Sequence, residues 1–256
     1  MSYRAMFLSD CHLGAAVAKA ELLADFLESN RAERYYLVGD FLDFWHPVTV
    51  RWTDDCQRVV DHLRRRVEQG AELIYLRGNH DPRPEEALVE LGLQVPVQER
   101  VLHTMGDGRK LLVVHGDCQD YRLFRSAFMT RVGTILNQGV RFLDCQFGRG
   151  LVLLGLRDGE LLSRALRRAG WIVCSPSAHE RRLVKLAQVT NVDGVICGHF
   201  HVAALHENEG FVYANCGDWL HSFTAVAEDL AGNLQLLSPA PSRGSVTEPA
   251  QILVQS

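Results

Sequence analysis

Tyr36-Leu37-Val38-Gly39-Asp40-Phe41-Leu42-Asp43 is an apolar run broken by a glycine and followed by two carboxylates three positions apart. The run from Arg34 to Gly39 reads as a strand that empties into a loop carrying chemistry. The plan recurs along the chain. Arg4–Ser9, Leu73–Arg77 and Lys110–Val114 read as further strands, rich in Val, Ile, Leu, Tyr and Phe. Between strands, Lys19–Asn30 carries Leu22, Leu23, Phe26 and Leu27 at helical spacing, and Asp54–Gln69 carries Val59, Val60, Leu63 and Val67. Gly70 stands where the second helix needs a C-terminal cap. Strand–helix–strand alternation predicts an α/β fold with a largely parallel sheet in this half.

The second half differs. Gly194–Cys197, Phe211–Asn215, Phe223–Glu228 and Asn233–Leu237 read as short strands separated by turn residues, which predicts antiparallel pairing on a second sheet. Residues 1–238 read as a single domain and 239–256 as a flexible tail. An insert from about 118 to 177 interrupts the domain. In it Phe124, Phe128, Val132, Ile135, Val140 and Leu143 recur as on an amphipathic helix, and Leu161, Leu162 and Leu166 mark a second. From Tyr121 to Gly170 there are nine arginines, no lysine and three acids, so the segment is +6 within a chain of −4.

The totals narrow the class. With 256 residues, 47% hydrophobic and 23% charged, the chain buries a sizeable core and suits one elaborated domain. A net charge of −4 advertises no nucleic-acid partner. Met6, Phe7 and Leu8 are cut short by Asp10 and His12, unlike a signal-peptide core. The longest apolar run, Leu151 to Leu156, falls far short of the roughly 20 residues that span a bilayer, so the cytoplasm is expected. The cysteines, Cys11, Cys56, Cys118, Cys145, Cys174, Cys197 and Cys216, are odd in number and scattered, which argues against a disulfide framework.

Five blocks carry chemistry: Ser9-Asp10-Cys11-His12, Gly39-Asp40-Phe41-Leu42-Asp43, Gly78-Asn79-His80-Asp81, Val114-His115-Gly116-Asp117 and Gly198-His199-Phe200-His201. Each follows a predicted strand, so all collect at one sheet edge. The glycines are expected to let the backbone turn sharply. Carboxylate oxygens and neutral imidazoles suit divalent ions of intermediate hardness, Mn²⁺, Fe²⁺ or Zn²⁺. In Asp10-x-His12 and His199-x-His201 an extended backbone would aim both side chains the same way, and Cys11 away. One carboxylate, best assigned to Asp40, bridges two ions roughly 3.5–4 Å apart, which activate water and clamp phosphoryl oxygens. A single block is ordinary turn chemistry; five in order are not.

The blocks resemble the calcineurin-like metallophosphoesterase signature, Asp-x-His, Gly-Asp-x-x-Asp, Gly-Asn-His-Asp/Glu, His, Gly-His-x-His, with every position matched. The resemblance implies a four-layer α/β/β/α sandwich. It also implies one metal on Asp10, His12, Asp40 and His201, and a second on Asp40, Asn79, His115 and His199. His80 would contact the phosphate as general acid, with Asn79 and Asp40 also in the catalytic set, and Asp43 and Asp81 would orient ligand imidazoles. Tyr36 to Trp45 and Asn215-Cys216-Gly217-Asp218-Trp219 further resemble the UDP-2,3-diacylglucosamine diphosphatases, in the branch carrying Gly-Asn-His-Asp. Its better-studied sister branch has arginine where this chain has His80.

That resemblance implies a Mn²⁺-type hydrolase releasing UMP and 2,3-diacylglucosamine 1-phosphate at the inner membrane surface. The insert then reads as a helical cap whose apolar face receives acyl chains and whose arginines, with Arg149, Arg157 and Arg164 as candidates, grip the diphosphate. The alternative keeps the chemistry on a soluble nucleotide, phosphodiester or phosphoprotein. A non-catalytic scaffold would show lost ligands, and none is lost. Trp45 and Trp219 follow site loops, where they line either the pocket or the core. His46, His62, His103, His179, His206 and His221 match no block and read as surface or packing residues.

Overall fold

The computed structural model describes residues 1–44, 50–81, 83–117 and 176–239. The chain divides into two compact units, Met1–Cys118 with Leu183–Ser256, and Gln119–Arg182. The insert from 118 to 175, with Arg149, Arg157 and Arg164 and the two stretches expected to be helices, the tail beyond residue 239, and Trp45 and His46 lie outside the described residues.

Two sheets build the first unit. One runs β11 (Leu234–Leu237), β10 (Ala225–Glu228), β1 (Ser2–Leu8), β2 (Arg31–Val38), β3 (Glu72–Leu76) and β4 (Val97–Gln98). The other runs β5 (Arg100–Thr104), β6 (Lys110–Val114), β7 (Gly194–Cys197), β9 (Phe211–Asn215) and β8 (Ala204–Asn208). Four described helices accompany them: α1 (Ala20–Ser29), α2 (Asp54–Glu68), α3 (Pro84–Glu90) and α4 (Pro176–Val189).

Period-two alternation sorts the strand residues into layers. Met6, Leu8, Tyr35, Leu37, Leu73 and Tyr75 pack with Leu23 and Leu27 of α1 and Val59 and Leu63 of α2. Their neighbours Ala5, Phe7, Tyr36, Val38 and Leu76 point the other way and meet Val113, Ile196 and Ala214 between the sheets. The outer face of the second sheet, Leu112, Val114, Val195 and Cys197, packs on Leu183 and Ala187 of α4. The order is α/β/β/α, as expected. Each fully buried large side chain, such as Phe7, contributes about 1.5–3 kcal/mol.

Helix α2 shows how local sequence sets its ends. Thr53 caps it by accepting from Cys56 N at 3.3 Å, and acids Asp54 and Asp55 open it. Gly70 follows the last turn at φ 94°, the left-handed geometry a glycine takes readily. The four described cysteines, Cys11, Cys56, Cys197 and Cys216, are buried.

The expectation for the last strands needs correction. β7 and β9 belong to the second sheet but run parallel, and their antiparallel company is β8, whose sequence was not read as a strand. β10 and β11 form a hairpin on the first sheet, with β10 antiparallel to β1. β10 is buried throughout: Ala225 and Ala227 face the helices and Val226 the inter-sheet core, so its pattern does not say which sheet it joins.

Candidate metal centre

β1, β2 and β3 are parallel, as are β6, β7 and β9. The loops after their C-terminal ends carry all five blocks, the arrangement in which α/β sheets collect ligand-binding residues. The loops are stitched together by backbone bonds. Asp10 N donates to Gly39 O at 3.1 Å, His12 N to Asp40 O at 2.9 Å, Gly198 N to His115 O at 3.0 Å and Trp219 N to Asp10 O at 3.1 Å.

Asp10, His12, His199 and His201 are not extended, contrary to the expectation from their spacing. Their φ values are 54°, 47°, 71° and 56°, in the left-handed region. This backbone separates His199 from His201 rather than aligning them. Asp10, His12 and His201 each bring a ligating atom to one group, and Asp40, His115 and His199 bring theirs to another, with all atoms of a group within 4.8 Å. Asn79 joins the second group through Oδ1, 3.3 Å from His115 Nε2. Cys11 turns into the core beside the helices.

Space explains two of the glycines better than turning does. A Cβ on Gly198 would collide with Ser9 Oγ and Asp10 Oδ2, and one on Gly78 with the Asp40 side chain. Gly39 does adopt positive φ, 76°, and its missing Cβ makes room for the His115 ring.

Three of the imidazoles are engaged on the edge facing away from the centre. His12 Nδ1 lies 3.1 Å from Asp43 Oδ2, His115 Nδ1 2.9 Å from Val38 O, and His201 Nδ1 2.7 Å from Asp218 Oδ2. Such contacts fix ring orientation and leave Nε2 for a cation. His80 Nδ1 is 3.4 Å from Asp43 Oδ2, and its ring meets His12 edge-on at 4.9 Å. Asp43 thus lies beside two imidazoles, His80 and the ligand candidate His12. Asp81 does not: it accepts from Asp40 N, Leu42 N, Gly78 N and Tyr75 Oη, and so ties the second block to the third. Asp218 was missed as a site residue, although Gly217-Asp218-Trp219 was in view. His221 Nδ1 also sits 3.2 Å from its Oδ2, so His221, an exposed residue, borders the site from the surface.

The donor set fits divalent ions. Asp10 Oδ1 and His12 Nε2 are buried without a hydrogen-bond partner, 3.9 Å apart, and Asp10 Oδ1 is 3.3 Å from His201 Nε2. Buried polar atoms rarely stay orphaned, and a cation between these three satisfies them together. Asp40 Oδ2 lies 3.4 Å from His115 Nε2 in the second group.

The electrostatics agree. Burial alone pushes the Asp40 carboxyl up, but His115, His80 and His12 hold it below the usual carboxylate range. Burial likewise opposes Asp218, yet His201 and His221 bring it below that range. His201 is pushed down by burial and up more strongly by Asp10 and Asp218, reaching about 9. His115 is raised by Asp40 and Asp10 against the same burial penalty. Asp81, buried and beside Asp40, is pushed up to about 6. Carboxylates that favour positive charge on these rings also favour a divalent ion among them.

Residues 3–203 match the family model for calcineurin-like phosphoesterases. The chain belongs to that family. It is 27% identical over 233 residues to a UDP-2,3-diacylglucosamine hydrolase of Haemophilus influenzae, covering 86% of this chain and 92% of that one. A Neisseria meningitidis protein of the same name is 25% identical over 238 residues, covering 87% and 92%. Among solved structures, an archaeal phosphodiesterase is similar with a TM-score of 0.46 at 13% identity, covering 91% of this chain and 98% of its own.

This calcineurin-like phosphoesterase is therefore a metal-dependent hydrolase. Its Trp219 is fully buried and packs on Phe26 at 4.9 Å, so it belongs to the core. His103 is buried between Tyr36 Oη at 2.9 Å and Glu228 Oε2 at 2.8 Å, a packing role. Among the described residues no helix is long and apolar enough to cross a membrane.

Proposed function

We propose that this chain cleaves the diphosphate of UDP-2,3-diacylglucosamine with water, releasing UMP and 2,3-diacylglucosamine 1-phosphate. Asp10, His12, Asp40 and His201 hold one divalent ion; Asp40, Asn79, His115 and His199 hold the other, and Mn²⁺ is the expected metal. The observation that carries the metal reading is the convergence of orphaned Asp10 Oδ1 and His12 Nε2 on His201 Nε2. The substrate is supported by relatives named for it that align over most of both chains.

When bound, such ions supply Lewis acidity at phosphoryl oxygens and make a water nucleophilic. The chain's own residues set the geometry. Asp43 and Asp218 hold His12 and His201 in register, and Asp81 fixes the Asp40 loop to the Gly78 loop. His80, with its side chain 20% exposed, reaches the phosphate and assists as general acid.

On sequence grounds the reading extends to the segment from about 118 to 177, within a single domain spanning 1–238 and followed by the tail 239–256. It serves as a cap whose Arg149, Arg157 and Arg164 grip the diphosphate and whose apolar residues receive acyl chains at the cytoplasmic face of a membrane.

The test is turnover by purified protein reconstituted with Mn²⁺. UMP release from UDP-2,3-diacylglucosamine at a higher kcat/KM than hydrolysis of bis(p-nitrophenyl) phosphate or free nucleotides is the expected result. An intact lipid substrate beside rapid hydrolysis of a soluble ester contradicts it and assigns the site to soluble phosphoesters. Asp40→Ala abolishes metal binding and turnover together, whereas His80→Ala slows turnover with both metals retained.

A further inference from the structure

Where β2 begins, at the edge away from the metal centre, a cleft of about 260 Å³ is lined by Glu28, Arg31, His62, Arg65, Arg66 and Gln69. Arg31 is the first residue of β2 and Asp40 lies two positions beyond its last, Val38. Roughly 25 Å of extended chain therefore separates the cleft from the centre.

The charge of this cleft is unbalanced. Three guanidinium groups face one carboxylate, and Glu28 is already engaged by Arg58 Nη2 at 3.1 Å. Among the described residues, Arg31 and Arg65 have no side-chain hydrogen bond or ion pair. Arg66 donates from Nη1 to Gln69 Oε1 at 2.5 Å and from Nη2 to Ala32 O at 3.4 Å, while its buried Nε has no hydrogen-bond partner.

His62 is the second, independent sign. It is only 6% exposed, and its Nε2 is buried without a hydrogen-bond partner. Burial, then Arg65 and Arg66, pushes its pKa down to about 4, so the ring is neutral near pH 7 and still carries one N–H. Arginines in the last turn of a helix ordinarily complement its dipole, but that role leaves a buried imidazole nitrogen unexplained. An anionic oxygen in the cleft would accept from both kinds of donor.

We propose that this cleft binds a phosphate-bearing anion, gripped by the guanidinium groups of Arg31, Arg65 and Arg66 with His62 Nε2 as a further donor. Guanidinium matches phosphate oxygens in a fork that lysine does not reproduce. The site stands apart from the metal centre and does not depend on which phosphoester the enzyme hydrolyses.

Equilibrium dialysis of the full chain against radiolabelled inorganic phosphate, with chelator keeping metals out of the other site, tests the proposal. One saturable site per chain is expected. Its affinity falls about tenfold or more in Arg31→Gln and in Arg65→Gln/Arg66→Gln, and is unchanged in His115→Ala. Arg31 and Arg65 are exposed, and circular dichroism verifies that these variants fold. Co-sedimentation with phosphatidylglycerol vesicles separates the sources of the phosphate. Vesicle binding that free phosphate competes away, and that the arginine variants lose, makes a lipid headgroup the occupant. Absence of saturable binding to either probe, or binding that persists in the arginine variants, overturns the proposal.

Discussion

His201 Nδ1 lies 2.7 Å from Asp218 Oδ2, a carboxylate with no exposure to solvent. Asp218 Oδ1 meanwhile accepts from the backbone N–H of His221 at 2.9 Å and of Ser222 at 2.7 Å. The two oxygens therefore have separate duties, one for the loop's backbone and one for the imidazoles of His201 and His221. In Asp218→Asn the amide oxygen keeps the loop while the NH₂ faces His201, forcing Nδ1 to accept and moving the ring proton to Nε2. That removes the lone pair the metal needs. The expected result is a 10- to 100-fold loss of metal affinity with little change in Tm. Calorimetric titration with Mn²⁺ beside a thermal melt checks both.

Gly198→Ala tests the tightest approach in the site. The added methyl would meet Ser9 Oγ and Asp10 Oδ2. Asp10 Oδ2 also accepts from His199 N at 2.9 Å, so displacement of this carboxylate disturbs both halves of the centre. A loss of about 1–3 kcal/mol in stability and near-complete loss of turnover are expected. Chemical denaturation and a phosphodiester assay read the two effects; wild-type activity in this variant would show that the loops are not packed as described.

His62 sets an acid-side dependence of stability. Its folded pKa is pushed down to about 4 from an ordinary value of 6.5. Between those values the unfolded chain binds the proton and the folded chain does not, so stability is full above pH 6.5 and declines as pH falls toward 4. His62→Gln should flatten this part of the profile, a difference on the order of 1–3 kcal/mol at its low end. Urea denaturation from pH 7 to pH 4.5, in phosphate-free buffer, measures it.

Much of this was legible in the sequence because the informative residues are local. The continuous apolar runs of β1, β2 and β6, each ending in a polar block, marked both the strands and the edge where they converge. The partners of β10 were not legible, since Ala225, Val226 and Ala227, small or branched and buried on both faces, suit either sheet. The backbone of Asp10-x-His12 was misread for a related reason: ligand spacing constrains where side chains arrive, not the φ values that bring them there. Asp81 and Asp218 show the limit most clearly. Each is a carboxylate beside a block, and only the fold reveals that Asp218 reaches a ligand imidazole while Asp81 does not.

The central claim is that seven side chains make one dinuclear centre. Anomalous diffraction at the manganese edge, from crystals of the Mn²⁺-loaded protein, tests it most directly. Two peaks are predicted, roughly 3.5–4 Å apart, one among Asp10, His12, Asp40 and His201 and the other among Asp40, Asn79, His115 and His199. A single peak, or one among His201, Asp218 and His221, where three ligating atoms also converge within 4.8 Å, would contradict it.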